Sequence, residues 1–156
     1  MTIGPIKVGG PPAGSAVSDP APQFTRADNL GGVITLIGYD LELERKAVKL
    51  VLYWRCEAPI TDDYTTFIHV MTVEGQQEAM VAQMDHPPSD GAYPTSLWDA
   101  GEIVRDAFHI PLPPETPQGN FEIAVGLYEP ATGTRLPVAG SSDGSIRLTG
   151  EMPPSD

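Results

Sequence analysis

The side chains here that could attack a substrate or move a proton are one cysteine, three histidines and a scatter of carboxylates. His69, His86 and His109 stand far apart, and no two share metal-ligand spacing on a common helix or hairpin. The chain has no H-E-x-x-H or C-x-x-C pattern, and no G-x-S-x-G elbow, Walker loop or dinucleotide fingerprint. Cys56 and His69 form the one conceivable nucleophile–base pair, but Cys56 falls in step with Trp54 and Leu52, where a free thiol is a buried, inert filler. His69 reads as a half-buried, hydrogen-bonded strand histidine, and His109, in step with Arg105, as a solvent-facing one. Among the carboxylates, Asp85, Asp90, Asp99 and Glu102 would bind calcium only if a long loop folded back on itself. No EF-hand or repeat spacing supports that, and none of Asp62, Asp63 or Asp106 singles itself out as half of a glycosidase-like pair. The expectation is a chain with no cofactor, no metal and no catalytic constellation.

The loop that raised the calcium question, residues 86–101, carries Pro87, Pro88, Gly91 and Pro94 together with Tyr93 and Trp98. Connections of this length are uncommon in compact domains and are often functional. Two readings are open. In one, Tyr93 and Trp98 stack on sugar rings while Asp99 and Glu102 accept hydrogen bonds from hydroxyls, which makes the loop a carbohydrate-binding site. In the other, preferred because large aromatics dominate burial energetics, Trp98 plugs an open end of the core with Tyr93 beside it.

Composition narrows the classes further. The chain has 156 residues, 21 acidic against 9 basic, and a formal net charge of −12. Such a surface repels phosphate backbones and anionic lipid heads, so nucleic acid and membrane surfaces are not expected partners. One cysteine excludes an internal disulfide, and no window approaches the ~20 apolar residues of a membrane span. The N-terminus lacks the basic and apolar regions of a signal peptide, so an exporting segment, if there is one, is expected to lie outside this chain.

The elements that must position these residues are strands. Residues 47–73 organise the rest: Val48, Leu50, Leu52, Trp54 and Cys56 alternate with Lys49, Val51, Tyr53, Arg55 and Glu57, the period-two signature of a half-buried strand. Residues 58–63 break the pattern, and residues 64–73 resume it with large apolar groups on both parities. Around this pair lie strands over residues 33–41, 78–85, 103–112, 121–128 and 146–148, and a turn over 129–133 leads into a further segment, 135–139, for a count of eight or so strands. Gly38 marks a bulge or a close backbone approach in the first of these, and Met80, Ala82 and Met84 share one side of the second. Asp143-Gly144 reads as a hairpin turn. With 16 glycines, 17 prolines and no 3.6-residue periodicity, the prediction is an all-β, immunoglobulin- or fibronectin-like antiparallel sandwich of two sheets. Residues 1–23 read as an edge strand (3–8) and a Gly/Pro-rich linker, 24–150 as the domain and 151–156 as a frayed tail.

A longer string of motifs carries a family resemblance. It includes Ile34-Thr35-Leu36-Ile37-Gly38-Tyr39-Asp40-Leu41, Gln83-Met84-Asp85-His86-Pro87-Pro88, Tyr93-Pro94-Thr95-Ser96-Leu97-Trp98 and Val125-Gly126-Leu127-Tyr128-Glu129-Pro130. Over roughly residues 24–148 the chain resembles the soluble C-terminal β-sandwich of bacterial multi-spanning membrane proteins of the dolichyl-phosphate-mannose-type glycosyltransferase class. That domain has no assigned activity of its own. The resemblance implies a non-catalytic accessory module on the extracytoplasmic side, tethered to a membrane-embedded partner domain that holds the transferase chemistry.

Overall fold

The computed structural model describes residues 16–117 and 119–151. The edge strand expected over residues 3–8 and the tail after residue 151 lie outside them. Eight strands follow in chain order: β1 (Phe24–Leu30), β2 (Ile34–Leu43), β3 (Ala47–Cys56), β4 (Thr65–Glu74), β5 (Gln77–His86), β6 (Ile103–Pro111), β7 (Asn120–Tyr128) and β8 (Ile146–Glu151). They form two antiparallel four-stranded sheets packed face to face, with orders β1-β2-β3-β6 and β5-β4-β7-β8. Residues 135–139 make only single bridges, Arg135 to Tyr128 and Val138 to Leu30, rather than a strand of their own. The chain crosses between sheets after β3, after β5 and after β6, so the protein is an all-β two-sheet sandwich.

Alternation explains the core. On β3, Val48, Leu50, Leu52, Trp54 and Cys56 are fully buried while Lys49 is exposed. Tyr53 departs from the pattern, being buried on the outer face with its hydroxyl donating to Asp40 Oδ2 at 2.7 Å. On β6 the pattern is strict, with Val104, Asp106, Phe108 and Ile110 inward and Arg105, Ala107 and His109 outward. Facing them from the second sheet are Ile68, Val70, Ile123, Val125 and Leu127.

β4 resolves the parity that the sequence left ambiguous. Ile68 and Val70 point into the sandwich, yet Phe67 on the opposite face is also buried. Its ring lies where a Cβ on Gly126 would fall, at 2.6 Å, and the Arg135 guanidinium covers it at 4.2 Å from the ring centroid. Glycine at 126 is therefore the residue that lets an aromatic ring lie flat on the neighbouring strand.

Two further departures from simple alternation have local causes. The β4–β5 ladder shifts register between Val70 and Met71, so Val81 is an extra residue and Met80 falls out of step with Ala82 and Met84. Met80 is consequently 54% exposed. At Gly38 both expected reasons for glycine hold: the β2–β3 register shifts between Leu36 and Gly38, and Pro22 lies so close that a Cβ would meet its ring at 2.5 Å. The last part of the stretch expected to be a linker is thus docked. Ala16 bridges to Val104, Val17 N–H donates to Ile103 O at 2.9 Å, and Gln23 N–H donates to Asp40 Oδ1 at 2.6 Å.

Candidate functional site

A carboxylate on an inward position of a core strand is the strongest chemical signal in the molecule. Asp106 is 0% exposed. Its Oδ2 accepts the Trp54 indole N–H at 3.2 Å and the Thr66 hydroxyl at 2.8 Å, and its Oδ1 accepts the Ser89 amide N–H at 3.1 Å. Trp54 and Asp106 belong to the first sheet, Thr66 to the second, and Ser89 to the crossover between β5 and β6. One carboxylate therefore ties three parts of the fold together. His86 completes the surroundings, with Nδ1 3.9 Å from Asp106 Oδ1 and 2.9 Å from the Pro87 carbonyl oxygen, and its ring stacked on Phe108 at 3.9 Å between centroids.

Burial pushes the Asp106 carboxyl up from the ordinary 3.8 to about 6, against the opposing pull of the Thr66 and Trp54 hydrogen bonds, of His86 and of the Ser89 N–H. A raised carboxyl beside a histidine and a serine invites comparison with a nucleophile–base–acid relay. The contacts do not form one. The Ser89 hydroxyl donates to the Arg105 carbonyl oxygen at 3.0 Å, and His86 Nδ1 is closest to Pro87 O. Ser89 and Asp90 both adopt left-handed backbone, at φ 55° and 54°, in the short 3-10 turn Pro88–Gly91. Such conformations persist in non-glycine residues only where the surroundings hold them, and Asp106 with the Arg105 carbonyl holds Ser89.

The rest of the crossover is anchored by its aromatics. Trp98 is 3% exposed and Tyr93 1%. The Trp98 indole N–H donates to Tyr93 O at 2.9 Å, the two rings sit 6.4 Å apart, and the Tyr93 hydroxyl donates to Glu102 Oε1. Asp99 is exposed, and its amide N–H donates to the same Glu102 oxygen at 3.1 Å. The four residues expected to meet a ligand are thus brought together, with both rings inside the core cluster rather than presenting a stacking face. Thr95 does as much again. Fully buried, it donates its hydroxyl to Asp62 O at 2.6 Å and accepts the Tyr64 N–H at 3.0 Å, which fastens the crossover to the β3–β4 connection.

The other candidates are dispersed. Cys56 is buried in the first sheet and donates its thiol hydrogen to Ala58 O at 3.1 Å, and burial pushes its pKa up. His69 lies half-buried on the outer face of the second sheet, its ring 5.1 Å from Phe67, so no Cys56–His69 pair exists. Its ring has no hydrogen-bond partner among the described residues, unlike the bonded histidine the sequence suggested; desolvation and the nearby Arg135 lower its pKa. His109 is exposed, as its parity implied. Among the described residues no three His, Cys, Asp or Glu side chains converge as a metal site.

Asp106 and Thr95 are the residues that sequence reasoning passed over. A signal existed for Asp106, because it shares parity with Val104, Phe108 and Ile110; a charged residue at an inward position needs partners. Nothing comparable marks Thr95.

Two measurements test this description. Trp98→Ala removes a packed side chain and its hydrogen bond, so unfolding free energy from denaturant melts is expected to fall by about 3–5 kcal/mol; an unchanged midpoint would contradict the burial. The second concerns pH. Because Asp106 has a raised pKa when folded, the stability linked to its proton is fully present below its ordinary 3.8 and is lost as pH rises through about 6, while the hydrogen bonds its carboxylate accepts remain. Glu57 and Asp143 act in the opposite sense, held low chiefly by the Arg55 and Ser145 hydrogen bonds respectively, so the comparison must be with a variant. Between about pH 7 and about pH 5, the melting temperature of the native protein is expected to rise relative to that of Asp106→Asn. Parallel curves would show that Asp106 does not titrate in this window.

Comparison with known proteins adds no identity: no family model and no curated protein matches the chain.

Proposed function

We propose that this chain is a non-catalytic accessory module, an interaction or positioning β-sandwich belonging to a membrane glycosyltransferase-like protein and held on the extracytoplasmic side. The observation that carries the reading is the use made of its reactive side chains. Asp106, Ser89, Tyr93, Trp98 and Glu102 bond to one another or to nearby backbone and close the sandwich. The motif string from Ile34 to Pro130 supports the family assignment. Strand order supports the finer fold: a β4–β5 hairpin continued on its β4 side by β7 and then β8 faces the β2–β3–β6 group, as the two sheets of an immunoglobulin- or fibronectin-like domain do. The surface is acidic, which suits a soluble domain beside a membrane without drawing it onto anionic lipid.

Carbohydrate binding through residues 86–101 is the weaker reading, since a sugar ring needs an exposed aromatic face and Tyr93 and Trp98 offer none in this conformation. Cell fractionation tests the proposal. An antibody against this domain is expected to detect it in the membrane fraction, on a larger chain that added protease cleaves in spheroplasts. Recovery of the domain in the soluble cytoplasm would overturn it.

A further inference from the structure

The outer face of the first sheet holds an open groove of about 500 Å³ that the preceding reading leaves unused. Its size falls in the range of small-ligand sites, roughly 300–1,000 Å³. Val51 and Ala107, directly opposed in the β3–β6 ladder, make its floor. Both are short, so the longer side chains around them stand up as walls. Asp40 and Glu42 rise from β2, Lys49 from β3, and Arg105 and His109 from β6, while Gln23 joins the lining from the N-terminal side.

Charge decides what class of ligand fits. The chain as a whole is strongly acidic, but the groove sets two carboxylates, Asp40 and Glu42, against two fixed cations, Arg105 and Lys49, the latter also paired at its rim with Glu44 at 3.5 Å. An anion entering would meet both carboxylates and the field of a −12 protein; a cation would meet Lys49 and Arg105. A purely apolar guest would strip water from the polar walls without replacing their hydrogen bonds. A neutral polyhydroxylated ligand meets none of these penalties. Its hydroxyls can donate to the carboxylates and accept from Lys49 and Arg105, and its C–H face can lie on Val51 and Ala107.

Part of the wall is already positioned. Asp40 Oδ1 accepts the Gln23 N–H at 2.6 Å and Oδ2 the Tyr53 hydroxyl at 2.7 Å, while Gln23 Oε1 accepts the Leu41 N–H at 3.0 Å. Pro22, seated on Gly38, keeps the chain leading into Gln23 on this face. Groups held on strands by such contacts lose less freedom when a ligand binds. From the balanced walls, the short floor and this preorganisation we infer that the groove binds a neutral saccharide chain. The inference does not depend on membrane attachment, and it moves the sugar-binding surface from the crossover to the opposite face of the first sheet.

Backbone amide NMR of the isotope-labelled protein tests it, with mannohexaose, maltohexaose and cellohexaose as neutral probes and hexagalacturonate as the anionic one. At least one neutral probe is expected to shift resonances of β2, β3 and β6 around Val51 and Ala107 at millimolar concentration. Glu42→Ala with Arg105→Ala, both exposed positions, is expected to weaken that binding about tenfold or more with the melting temperature unchanged. Tighter binding of hexagalacturonate, shifts centred on residues 86–101, undiminished binding by the double variant, or no shift with any neutral probe would each overturn the proposal. Cell fractionation bears on the membrane reading alone, so the two can fail separately.

Discussion

The fold depends on a buried carboxylate that is met on every side. A charged group taken out of water is destabilising unless donors replace its hydration, and removing one partner of such a group is costlier than never burying it. Asp106 draws its three donors from β3, β4 and the β5–β6 crossover, which no local segment could supply. It therefore acts as a register pin. A one-residue slip of β6 would carry Asp106 to the solvent face and drive Arg105 into the core, leaving Trp54 and Thr66 without their acceptor. The hydrophobic pattern of β6 already disfavours that slip, and the carboxylate makes it prohibitive.

The same interaction explains how a long connection is ordered without regular structure of its own. Its first turn is held at Ser89 by Asp106 and the Arg105 carbonyl. Its middle is held by Thr95, whose hydroxyl reaches the β3–β4 connection, and its end by Trp98 and Tyr93 inside the core. Between these anchors the prolines at 87, 88 and 94 reduce the conformational freedom lost on folding. Tyr93, Trp98 and Glu102, expected from the sequence to meet a ligand, are in this way among the residues that close the sandwich. The proposal of an interaction module rests on that coincidence, and the outward face of the first sheet offers side chains to a ligand.

Legibility in the sequence followed the physics of each segment. β3 could be read residue by residue because it is half-buried and alternates, and Gly38 because a glycine within a strand needs a reason. β4 could not, because Phe67 is buried on the outer face by Arg135 and by the space at Gly126, contacts made by residues far away in the chain. Met80 misled because a bulge shifts parity without leaving a mark in composition. Asp106 was visible as a charge on an apolar parity, but its partners Trp54, Thr66 and Ser89 lie 17 to 52 positions away and only the fold brings them together. The groove was the least legible feature, since its walls come from three strands and the segment before β1.

Hydrogen exchange at the two N–H donors to Asp106 tests the central claim most directly. If the carboxylate pins both sheets and the crossover into one cooperative unit, the Trp54 indole and Ser89 amide protons exchange only when the whole domain opens. Their protection then equals the global unfolding free energy, on the order of 5–15 kcal/mol. Exchange of the Ser89 amide far faster than that of the core strands, with Trp54 still protected, would show that the crossover opens independently and that Asp106 does not hold it.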